Sequence, residues 1–148
     1  MTILGIGMDV VETKRIAESL ERFGERFLHR VFLDGEVDYS RRMKFPHLHL
    51  AARFAAKEAT LKVLRPDGHR PEWRSMEVLR HPGGWCSMSL SGHAADLAAR
   101  AGIGELAVSL THEDGIAAAV VVALCRGKDP ATPRQSAHGH ELASNGAR

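Results

Sequence analysis

LAVSLTHEDGIAAAVVVAL, residues 106–124, is the stretch that decides the fold class. Leu106 to His112 alternates apolar and polar residues, Glu113-Asp114-Gly115 supplies a turn, and Ile116 to Leu124 is a continuous apolar run rich in β-formers, suited to a central strand. Upstream, Met76 to Arg80 and Trp85 to Leu90 read as two more strands joined by His81-Pro82-Gly83-Gly84, after which Ser91 caps a helix ending near Gly102. Neighbouring strands joined by turns this short pair antiparallel.

Ile3 to Val11 adds an opening strand whose alternation puts Leu4, Ile6, Met8 and Val10 on one face and Gly5, Gly7 and Asp9 on the other. From Thr13 to about Phe32, Ile16, Leu20, Phe23 and Phe27 recur at helical spacing, and Gly24 breaks the segment into two helices. Pro46 is expected to end a short helix, and His47 to Leu64 then forms a long alanine-rich one that stops before Pro66-Asp67-Gly68. The expectation is an α+β fold, an antiparallel sheet packed against a long helix. A single domain over residues 1–125 accounts for all of it. Residues 126–148 are rich in Pro, Ser, Gly, His and Ala and are expected to be a disordered tail.

Composition excludes several function classes. A net charge of +2 over 148 residues is far from the basic stripe of a phosphate-backbone binder, so no nucleic-acid partner is indicated. No apolar run approaches the roughly 20 residues of a membrane span, and no signal peptide opens the chain, so a cytoplasmic location with no membrane partner is the default. Cys86 and Cys125 lack metal or redox spacing and are expected to be small buried apolar residues.

Gly5-Ile6-Gly7-Met8-Asp9 is not a dinucleotide-binding loop, because Val10 stands where a third glycine belongs and the stretch alternates like a strand. Bare positions at Gly5 and Gly7 leave room beside Asp9 for a ligand or an approaching helix. Taken alone, the element is more often a packing contact beside a capping aspartate. In Arg53-Phe54-Ala55-Ala56-Lys57-Glu58-Ala59-Thr60-Leu61-Lys62, helical spacing puts Phe54, Glu58 and Lys62 on one stripe and Arg53 and Lys57 on the next. Glu58 and Lys62 alone would suit a solvated i,i+4 pair. Ala51, Ala52, Ala55, Ala56 and Ala59 make the helix thin enough to lie close to a sheet, which gives a site of two carboxylates among several cations. Such oxygen ligands suit magnesium, which keeps waters and shares substrate phosphates.

Together the two stretches resemble the phosphopantetheinyl transferases, specifically the small holo-acyl-carrier-protein synthase type. That family pairs a first-strand G-[IV]-G-x-D element with a helix reading R-F-[AS]-x-K-E-[AS]-x-x-K, and both stand here. Lys14-Arg15-Ile16 and Ser109-Leu110-Thr111-His112 extend the likeness to about residue 124. One departure is Arg65-Pro66-Asp67-Gly68-His69-Arg70, where the family usually continues with a G-T-G-like turn.

The resemblance implies the phosphopantetheinyl transferase fold and a magnesium-dependent transfer of 4′-phosphopantetheine from coenzyme A to a serine of an apo acyl carrier protein, releasing adenosine 3′,5′-bisphosphate. It makes Asp9 and Glu58 the metal ligands and, with Lys62, the catalytic set. Arg53, Lys57, Lys62 and His112 fall near the coenzyme A phosphates or nucleotide. Either Glu58 or a metal-bound water would accept the serine proton. Arg15, Arg22 and Arg26, at spacings of seven and four, are expected to share a helix face that docks an acidic carrier. A homotrimer with sites at subunit contacts is also implied. Two other classes compete: another magnesium-dependent nucleotide enzyme, against which no GxxxxGK[ST] loop is found, and a catalytically silent carrier-binding homologue.

Overall fold

The computed structural model describes residues 2–125. The expected tail at 126–148 therefore lies outside the described residues. Strands β1 (Ile3–Glu12), β2 (Met76–Arg80), β3 (Cys86–Leu90), β4 (Ile103–His112) and β5 (Ile116–Cys125) form one antiparallel sheet in the order β1-β5-β4-β3-β2. The apolar run of β5 is an interior strand, second in that order, flanked by β1 and β4 along nearly its full length. Helices α1 (Thr13–Phe23), α2 (Glu25–Val31), α3 (Asp34–Arg41), α4 (Pro46–Leu64) and α5 (Gly92–Arg100) complete the α+β architecture expected from the sequence.

Helix α4 packs across β1, β5 and β4. Its five alanines, Ala51, Ala52, Ala55, Ala56 and Ala59, have no exposed surface at all, so the thin face is spent on the chain's own core. Pro46 starts α4 at its first turn rather than ending the helix before it, as its fixed φ and missing N–H favour. Gly24, at φ 51° and ψ −131°, separates α1 from α2.

The face of β1 turned toward α4 is the glycine face. Ile6 and Met8 on the opposite side are 64% and 60% exposed, and Leu4, Val10, Ile116 and Val120 are exposed beside them. Alternation thus located the strand correctly while its larger apolar residues point away from the core. Neither cysteine is buried as expected: Cys86 is half-buried and Cys125 exposed.

Candidate active site

Asp9 lies late in β1 and Glu58 and Lys62 one turn apart on α4. Lys62 Nζ donates to the Met8 carbonyl at 2.7 Å and to Asp9 Oδ1 at 3.1 Å. Strand and helix are thereby tied by a single ammonium. Glu58 Oε2 accepts from Arg70 Nη2 at 3.0 Å. The Asp9 side chain is 19% exposed and that of Glu58 28%, so both carboxylates can still be reached from solvent.

This donor set fits a magnesium ion. Both carboxylates offer hard oxygen ligands, and each is partnered by a cation whose place a metal can take. Among the described residues no group of three or more His, Cys, Asp or Glu is gathered for a metal. An ion held by Asp9 and Glu58 would thus complete its shell with water and substrate oxygens, as magnesium commonly does.

Arg53 and His112 gather elsewhere. Five helical steps of about 100° turn Arg53 roughly 140° away from Glu58 around α4. There a cavity of about 210 Å³ is lined by Tyr39, His49, Arg53, Arg80, Cys86 and His112. Arg53 is 3% exposed, its guanidinium carbon lies 4.2 Å from the Tyr39 ring centroid, and its Nε is buried without a hydrogen-bond partner. The rings of His49 and His112 meet edge to face at 4.7 Å. Burial, then His112, Arg53 and Arg80, hold the His49 pKa below its ordinary value. Two guanidiniums, those of Arg53 and Arg80, in one cavity suit an anion such as a phosphate.

Lys57 corrects the expectation that it lies near a phosphate. It is fully buried, and Nζ donates to the Val31 carbonyl at 2.7 Å, Glu36 Oε2 at 2.7 Å and the Trp73 carbonyl at 3.2 Å. Its three protons are spent inside the chain. Glu36 in turn accepts from the backbone N–H groups of Leu33 at 3.0 Å and Val78 at 3.1 Å. Lys57 and Glu36 together therefore brace α2, α3, α4 and β2.

Arg15, Arg22 and Arg26 are all exposed, but not on one helix: the break at Gly24 leaves Arg15 and Arg22 on α1 and puts Arg26 on α2. Phe23, Arg26, Phe27 and Arg30 line a cavity of about 270 Å³ at that break. Sequence reading missed Arg70, which contacts Glu58 from a turn whose departure from the expected pattern was its only signal.

Comparison with known proteins shows the family and the fold. Residues 5–125 match the family model described as ACPS, 4′-phosphopantetheinyl transferase superfamily. A holo-[acyl-carrier-protein] synthase of Desulforudis audaxviator is 43% identical over 122 residues, covering 82% of this chain and 93% of that protein. The crystal structure of the holo-[acyl-carrier-protein] synthase of Neisseria meningitidis superposes with a TM-score of 0.74 at 30% identity, over 83% of this chain and 99% of that one. The Helicobacter pylori synthase, solved in complex with coenzyme A, gives 0.71 at 28% identity, over 81% of this chain and all of the other.

Proposed function

Because the chain belongs to the 4′-phosphopantetheinyl transferase superfamily, we propose that it transfers 4′-phosphopantetheine from coenzyme A to a serine of an apo acyl carrier protein, with Asp9 and Glu58 holding magnesium. The observation that carries this reading is the Lys62 ammonium, which touches Asp9 from the helical turn next to Glu58. Two carboxylates beside a cation suit a pyrophosphate and its metal better than they suit a bare structural contact.

The serine oxygen attacks the β-phosphorus of coenzyme A, the bond to the oxygen bridging both phosphates breaks, and adenosine 3′,5′-bisphosphate leaves. Bound magnesium supplies positive charge to the pyrophosphate oxygens. Lys62 stands ready to exchange its contact with Asp9 for a phosphate oxygen and to stabilise charge developing there. On this chain the Glu58 carboxylate is the group offered to the serine proton. Arg53 and His112 bind the nucleotide end, where they line one pocket together with Arg80. Arg15, Arg22 and Arg26 dock the acidic carrier, the guanidinium carbon of Arg22 lying 5.1 Å from the Phe23 ring centroid and Arg26 lining a groove with Phe23 and Phe27.

Arg53 lies around α4 from Glu58 and lines one cavity with His112 of β4, which supports a site completed between two copies of the chain. The exposed apolar outer face of β1 and β5, immediately behind Asp9, is the surface those copies would share in the homotrimer. No described helix is long and apolar enough to cross a membrane, which is compatible with a cytoplasmic enzyme acting on a diffusible carrier.

The direct test is to incubate the protein with coenzyme A, Mg²⁺ and an apo carrier and weigh the carrier. A gain of one phosphopantetheine, lost in Glu58→Gln and on chelation, is expected. A carrier left unmodified under conditions where it binds the protein would instead identify a silent carrier-binding homologue.

A further inference from the structure

Arg70 sits at the end of the turn where this chain departs from the G-T-G-like sequence of its family. Arg65, in the left-handed conformation at φ 47°, and Gly68, at φ 88°, turn the chain after α4. That reversal brings Arg70 back onto the helix it has just left. Its guanidinium carbon lies 4.6 Å from the Trp73 ring centroid, and the Trp73 ring lies 5.0 Å from that of Phe54, one turn before Glu58. Its Nη2 donates to Glu58 Oε2 at 3.0 Å. An aromatic platform built on α4 thus presents a planar cation to the carboxylate of the same helix.

We infer that Arg70 is a positioning residue of the site, clamping Glu58 until a divalent ion takes that carboxylate and then turning its guanidinium to the coenzyme A pyrophosphate. The inference rests on the reading of Glu58 as a metal ligand. The ion pair is part-exposed, with the Arg70 side chain 52% accessible, and pairs of this kind are weak enough to be exchanged. A guanidinium released from a carboxylate but still stacked on Trp73 has a fork of free donors, for which a phosphate is the best-matched partner. Arg70 therefore opposes metal binding when coenzyme A is absent and favours coenzyme A once the metal is bound. Each ligand prepares the site for the other.

Two binding measurements on the full chain test this. Free Mn²⁺ is followed by electron paramagnetic resonance without coenzyme A, and coenzyme A is titrated calorimetrically at saturating Mg²⁺. Arg70→Gln is expected to bind Mn²⁺ roughly two- to fivefold more tightly than the unaltered chain and coenzyme A more weakly by a similar factor. Arg70→Lys, which keeps the charge and loses the planar stack, should fall between them. Mn²⁺ affinity that is unchanged or weaker in Arg70→Gln overturns the inference alone, provided that Glu58→Gln abolishes the same binding. If Glu58→Gln leaves Mn²⁺ binding intact, the metal reading fails and the role of Arg70 fails with it.

Discussion

A Cβ placed on Gly7 would lie 2.0 Å from the carbonyl oxygen of Ala59. Because the obstacle is helix backbone rather than a flexible side chain, β1 and α4 must part to admit even a methyl group. Gly7→Ala should therefore cost more than the roughly 1–3 kcal/mol of ordinary overpacking. It should also pull Asp9 away from Lys62, so activity falls with stability. Gly5 faces the same helix, but its Cβ would meet only Val63 Cγ1, at 3.9 Å. Gly5→Ala should stay within about 1 kcal/mol of the unaltered chain. Urea midpoints at constant m-value distinguish the two; equal midpoints would show that the close approach does not constrain the sheet.

That contact also explains what was legible in the sequence. Period-two alternation located β1, and the bare positions beside Asp9 admitted either a ligand or a helix. A helix occupies them, and its close approach brings Lys62 of the α4 stripe to the strand beside Asp9. Alternation alone does not say which face of a strand looks inward when the outer face is also apolar, as with Ile6, Met8 and Val10. Lys57 was misassigned for a related reason. Its carboxylate partner, Glu36, lies 21 residues earlier on another helix, and no local spacing reveals such a pair. Arg70 carried a weaker signal still, a turn that failed to match a pattern.

Glu77 gives a pH-dependent prediction. Burial first, then the nearby Glu36 carboxylate, raise its pKa above the ordinary 4.5, and Lys57 opposes them without reversing the shift. In the window from 4.5 upward to the raised value, the folded chain binds more proton than the unfolded chain. Stability contributed here is thus lost as pH rises through that window. Glu77→Gln removes the loss. It should raise the urea midpoint at neutral pH, with the advantage over the unaltered chain narrowing as pH falls toward 4.5. An advantage that grows on acidification would reverse the assigned sign.

Arg26 and Phe23 line the same groove although they belong to different helices. Reversing the charge there should weaken carrier docking without touching the nucleotide. For Arg26→Glu, a rise in KM for the carrier of roughly tenfold is expected, about 1.4 kcal/mol, with KM for coenzyme A unchanged and the salt dependence of carrier binding reduced. An equal rise in both constants would locate Arg26 at the nucleotide instead.

His112 and Glu58 point to the strictest test, because the proposed site takes one from each of two neighbouring subunits. Glu58→Gln and His112→Ala, each purified alone, should have little activity. If the two are unfolded together and refolded, subunits mix at random and about a quarter of the contacts join an intact Glu58 to an intact His112. Activity should then recover to roughly that fraction. Ile6→Glu supplies the control, since a charge at this exposed position of the outer sheet face should dissociate the assembly in light scattering while leaving circular dichroism unchanged. Mixed variants carrying Ile6→Glu should regain nothing. A site contained within one chain would give the opposite pattern: no recovery on mixing, and full turnover from a dissociated Ile6→Glu monomer.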